Sequence, residues 1–226
     1  MWKKLLKNSV RYAIILVEIH EGGFAMNKII TISRQYGSGG REIGEKLAKK
    51  LDIPFYDNAL IEKAAKESGL IEAFFEDTER HAGNSLLYAL YRGVQADRIG
   101  TSVLSMEDNI YLAQANVIRK VAQEGPCVII GRCSDYILED MKNVVNIFIH
   151  ADLEFRKERA ITIDGVDPKK AESVINTKDK RRVNYYNFHA SKKWGIANNY
   201  DLCVDSSACG IDCAVELIYN FIKNCK

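Results

Sequence analysis

Gly37-Ser38-Gly39-Gly40-Arg41-Glu42-Ile43-Gly44 follows the β-rich run Ile29-Ile30-Thr31-Ile32-Ser33 and opens a helical pattern at Ile43, Leu47 and Leu51. The order is strand, glycine turn, helix. Glycine lets the backbone take φ > 0 and approach a ligand closely, and the free N–H groups at a helix start carry a partial positive charge. An anion belongs there, first of all a nucleotide phosphate. The turn departs from a Walker A loop, because Gly40 stands where that pattern has lysine and Arg41 or Glu42 where it has a hydroxyl.

Working outward, strands are expected at Lys28–Ser33, Pro54–Asp57, Cys127–Gly131, Val144–His150 and Asp201–Val204. Helical periodicity lies between them, over Arg41–Leu51, over Ile110–Val121, and at Ala214, Leu217, Ile218 and Phe221 near the C-terminus. Alternation of this kind predicts an α/β fold with a parallel sheet covered on both faces, whose ligands sit at the carboxyl ends of the strands. Ser33, Asp57, Arg132 and His150-Ala151-Asp152 all fall at such ends. The gap 58–125 is too long for a simple crossover and is expected to be a helical insertion.

The 226 residues carry a net charge of only +2, so no bulk field argues for nucleic acid or a membrane surface. Six cysteines without paired zinc spacing fit reduced thiols in a cytoplasmic protein better than a disulfide framework. His81, His150 and His189 lack partners at metal-ligand spacing. Residues 1–25 differ in character: Lys3, Lys4 and Lys7 precede an apolar run that ends at Glu18, too short for a membrane span. The segment reads as a leader, with Met26 the expected natural start. Residues 26–226 then form one domain.

Four segments resemble the cytidylate-kinase-like branch of the P-loop nucleoside monophosphate kinases. They are the run from Ile32 to Gly44, Pro54-Phe55-Tyr56-Asp57, the run from Val128 to Leu138, and Phe148 to Arg159 with Asp179-Lys180-Arg181-Arg182 downstream. The resemblance implies a three-layer P-loop NTPase fold with a central parallel five-stranded sheet, an acceptor-binding helical insertion at 58–125 and a basic lid at 161–194. It also implies ATP with Mg²⁺ as donor and a nucleoside monophosphate acceptor, CMP or dCMP first. The alternatives are another small acceptor, or a nucleotide-binding regulator without catalysis.

Phosphoryl transfer needs aligned substrates and positive charge more than a nucleophile. On the resemblance, Arg34, Gly37, Ser38, Gly39, Gly40, Arg41 and Glu42 would hold the donor, with Arg41 or Arg34 replacing the lysine charge and Glu42 either binding Mg²⁺ or repelling phosphate. Arg41, Arg156, Arg159, Arg181 and Arg182 would act on the transferring group, and Asp57, Lys63, Arg132 and Asp135 would face the acceptor. Read as residues alone, Asp57 is equally a helix cap, Lys63 an exposed lysine, and Ser134 or Asp135 a cap ahead of Tyr136-Ile137-Leu138. The arginines after the fourth strand also fit a solvated helix face. Tyr185, Tyr186, Phe188 and Trp194 among those cations are expected to anchor the lid rather than bind single-stranded nucleic acid. No nucleic-acid or membrane partner is expected, and a homodimer is possible through aromatics of the insertion.

Overall fold

The computed structural model describes residues 27–67 and 106–225. The expected leader 1–25, His81 and most of the insertion (residues 68–105) lie outside the described residues. Among the described residues five parallel strands are present: β1 Ile29–Arg34, β2 Phe55–Tyr56, β3 Cys127–Ile130, β4 Val144–His150 and β5 Leu202–Asp205, in the order β2-β3-β1-β4-β5. β1 is paired on both sides, Ile29–Ile32 with Cys127–Ile130 and Ile29–Arg34 with Val144–Ile149. The ends of β1, β3 and β4 therefore lie side by side.

Alternation along β1 divides its side chains between two layers. Ile30 and Ile32 pack with Ile43, Leu47 and Ala48 of α1 (Gly40–Leu51) and with Ala214, Val215 and Ile218 of α8 (Ile211–Asn224). Ile29, on the other face, packs with Ile61 of α2 (Asn58–Glu67), with Ala113, Ile118 and Ala122 of α3 (Met106–Glu124), and with Ile137 of α4 (Ser134–Ile137). This is the expected three-layer α/β fold. Leu217, expected on the packed face of α8, is half exposed; Val215 and Ile222 take its place in the core.

After β4 come α5 (Leu153–Thr162), α6 (Ala171–His189) and, beyond β5, the short α7 (Ser206–Cys209). Within the expected lid, α6 is one 19-residue helix. No apolar stripe announces it, because its buried residues sit at its two ends: Ala171 and Ile175, then Tyr186 and His189. Its polar middle faces the glycine turn instead. No helix among the described residues is long and apolar enough to cross a membrane.

Candidate active site

Residues 35–40 are held both by hydrogen bonds between side chains and backbone and by close packing. The Ser38 hydroxyl donates to the Gln35 carbonyl at 2.8 Å, and Ser206 Oγ donates to the Ser38 carbonyl at 2.7 Å. The Ala151 N–H donates to Gln35 Oε1 at 3.2 Å. Gly37 and Gly39 have φ of 79° and 76°. A Cβ at Gly37 would stand 2.6 Å from the Arg156 carbonyl oxygen. Helix α1 starts at Gly40 without a side-chain cap, and its first backbone bond runs from the Ile43 N–H to the Gly39 carbonyl at 2.9 Å. The N–H groups of Gly40, Arg41 and Glu42 therefore have no acceptor within the helix, the arrangement that suits a phosphate.

The two arginines that flank the turn behave differently. Arg41 is 62% exposed and turned toward β2, where it binds Asp57 at 2.9 Å and Glu45 at 3.4 Å. The expectation gave the lysine charge to Arg41 or Arg34; the Arg41 guanidinium is engaged by Asp57, which follows β2, and by Glu45, one turn along α1. Arg34 turns inward. No carboxylate among the described residues pairs with it, and its pKa is pushed down to about 9, first by burial and then by Arg182 and Arg132. Such a cation gains most from an arriving anion.

Glu42 is engaged by two cations, Arg159 at 2.6 Å and Lys46 at 3.1 Å. Burial alone would raise its pKa, but the hydrogen bonds from Arg159 and Lys46 outweigh that and hold it below the usual glutamate range. The Arg159 guanidinium carbon would lie 3.4 Å from a Cβ at Gly39, so this cation lies beside the turn. Arg156 is buried and structural. Its Nε donates to the Tyr36 carbonyl at 2.7 Å, and its Nη2 pairs with Asp179.

Asp179, which the sequence reading left without a role, is the hub of this region. Its Oδ1 accepts from the Tyr36 N–H at 2.7 Å and from Arg182 at 3.3 Å, while Oδ2 takes Arg156. Arg182 also donates to the Arg34 carbonyl at 3.0 Å. One carboxylate thus ties α6 and α5 to the entry of the glycine turn. The available signal was the i, i+3 spacing of Asp179 and Arg182 on a helix.

A cavity of about 230 Å³ opens at the ends of β1 and β3, with Arg34, Arg132, Arg181 and Arg182 in its wall beside Tyr185 and Trp194. Arg132 is aimed by an unusual turn: Gly131, Arg132 and Cys133 are left-handed in succession, with φ of 71°, 54° and 54°. Each non-glycine residue held so costs about 1–2 kcal/mol. Arg132 pairs with Glu62 of α2, another partner missed from sequence, and its guanidinium lies 5.4 Å from the centre of the Tyr185 ring. Four cations with few carboxylates suit a phosphorylated ligand.

Three expected acceptor residues are placed elsewhere. Asp57 accepts from the Leu60 N–H at 3.0 Å, capping α2, and holds Arg41. Lys63 is exposed, 3.7 Å from Glu67, and outside the cavity wall. Asp135 is buried behind the wall, where its Oδ2 accepts from the Tyr186 hydroxyl at 2.8 Å and burial raises its pKa. Neither Ser134 nor Asp135 caps α4, since the cap position falls on left-handed Cys133 without a side-chain bond.

No group of three metal-ligating side chains occurs among the described residues. Glu42 at the helix start is a carboxylate within the glycine motif, and a single protein oxygen fits Mg²⁺ that arrives on donor phosphates.

Comparison with known proteins agrees with the fold. The model of the cytidylate kinase-like family matches residues 29–208. An uncharacterized protein from Eubacterium ventriosum is 29% identical, with a TM-score of 0.67 over 88% of this chain and 99% of its own. TT1252 from Thermus thermophilus shares the fold at 13% identity, with a TM-score of 0.50 over 88% of this chain and 98% of its own. A shikimate kinase from Bacteroides thetaiotaomicron overlaps at 13% identity and a TM-score of 0.46, over 87% of this chain and 98% of its own. No curated protein matches the chain.

Proposed function

The chain belongs to the cytidylate kinase-like family, and from that premise we propose that it transfers the terminal phosphoryl group of ATP to a small phosphorylated acceptor, CMP or dCMP being the first candidates. The observation that carries this reading is the arginine-walled cavity directly beside an uncapped, glycine-led helix start. The two anion sites lie at the ends of neighbouring strands.

In this reading the N–H groups of Gly40, Arg41 and Glu42 bind donor phosphates, and Arg159 adds charge at the turn. Arg132, Arg181 and Arg182 hold the acceptor phosphate, with Tyr185 and Trp194 as flat apolar walls for a base. Bound Mg²⁺ would offset charge on the donor's phosphate oxygens, with Glu42 as its protein contact. Asp179 keeps Arg182 oriented, and Asp57 keeps α2 and its Glu62 against Arg132. Transfer then depends on placement and electrostatics rather than on a covalent intermediate.

The test is ADP formation by the full chain with ATP and Mg²⁺ against a panel of nucleoside monophosphates, beside a nucleotide titration. CMP-dependent ADP release supports the reading. The missing lysine and the Glu42–Arg159 pair favour one second reading, a nucleotide-binding regulator, and ATP binding without turnover on any acceptor would select it.

A further inference from the structure

Gly40 raises a question that its conformation does not answer. Its φ is not positive, so an L side chain there carries no backbone strain, and glycine is not needed for the turn. The constraint is space. A Cβ at position 40 would stand 2.5 Å from Arg34 Cβ and 2.8 Å from Arg34 Cγ, with Ile149 Cβ at an ordinary 3.6 Å. The stem of Arg34 fills the volume through which a side chain at position 40 would leave the helix.

The other end of Arg34 lies where a cation is wanted. Its Nη1 comes within 2.2 Å of where a Cβ on Gly131 would be, so its guanidinium lies against the end of β3 and forms part of the cavity wall. The side chain thus runs from the glycine turn to the arginine cavity, with no carboxylate partner among the described residues. Arg41, the other candidate, is held away by Asp57 and Glu45.

We propose that Arg34, reaching over from β1, replaces the missing loop lysine: its stem occupies the space of the residue-40 side chain, and its guanidinium meets the donor's terminal phosphate where turn and cavity join. This rests on the phosphotransferase reading for the identity of the donor. The steric and charge exchange between positions 34 and 40 can be tested separately from that identity.

The experiment moves the charge. Full-length wild type, Arg34→Met, Gly40→Lys and the double variant Arg34→Ala/Gly40→Lys are titrated with Mg²⁺–ATP and with inorganic tripolyphosphate, and their thermal unfolding is recorded. Arg34→Met keeps the stem and removes the charge, and is expected to weaken both anions by about 10–100-fold, the worth of one charged hydrogen-bonding partner. Gly40→Lys alone is expected to lower the melting temperature, because two stems compete for one space. The double variant is expected to melt above Gly40→Lys and to recover binding to within about threefold of wild type, since the lysine restores the charged contact.

Wild-type affinity in Arg34→Met overturns the proposal. So does a double variant that folds yet fails to recover tripolyphosphate binding. Wild type that binds tripolyphosphate but not ATP would sink the phosphotransferase reading while leaving the exchange fully readable; wild type that binds neither anion would overturn both.

Discussion

Arg34 and Arg41 have the same side chain and opposite fates, because partners rather than residue type decide whether a guanidinium is available. Glu42 shows the same principle in an anion. Held by Arg159 and Lys46, it places negative charge at the helix start where phosphate is to bind. Glu42→Gln is expected to tighten Mg²⁺-free ATP binding about fivefold, near 1 kcal/mol, and calorimetry in the presence of a chelator checks it; unchanged or weaker binding would mean that Glu42 does not compete with the donor. Because the folded-state pKa of Glu42 is lowered, its contribution to stability is present above the ordinary glutamate range and disappears as pH falls through the lowered value. The melting difference between wild type and Glu42→Gln should accordingly vanish in acid. Asp179 carries more, since it is only 16% exposed and takes two arginines and a backbone N–H. Asp179→Asn should cost about 3 kcal/mol, as expected when a buried charge loses its counter-ion, and denaturant unfolding measures it. An unmoved midpoint would remove Asp179 as the hub.

At the scale of elements, the glycine turn is closely confined because helices press on it from several sides. Gly37→Ala combines a left-handed φ with a clash against the Arg156 carbonyl and should cost about 3 kcal/mol. Gly165 has φ of 67° but open space around it, so Gly165→Ala should cost only about 1 kcal/mol. Equal losses in the two variants, read from urea midpoints, would contradict the packing argument. Helix α6 illustrates why the segment after β4 was poorly legible. A periodicity search seeks an apolar stripe, and α6 instead turns Asp179 and Arg182 to the backbone of residues 34–36, burying apolar side chains only near its ends. Sequence could place charges in this segment but not say which of them were already spent on one another.

For the whole molecule, the sheet order brings four arginines from β1, the β3 end and α6 into one wall, although the net charge is only +2. That wall should read phosphate before it reads a base. Cytidine is therefore expected to bind at least about 30-fold more weakly than CMP, and CMP binding should weaken as salt rises. A titration in which cytidine and CMP bind alike would show that these arginines hold no phosphate.

Local sequence sufficed to determine the strand–glycine–helix unit, the five strands to within a residue or two, and the parallel α/β layering, because these follow from periodicity and backbone freedom within short stretches. The role of Asp57 as a cap was legible for the same reason. Tertiary structure alone decided that Arg34 rather than Arg41 faces the site, that Asp135 lies behind the wall, that Asp179 and Glu62 orient the arginines, and that Gly40 is small to make room. Each of these depends on which distant side chain arrives at a shared point, and charges and volumes from separate strands compete only after the sheet has brought them together.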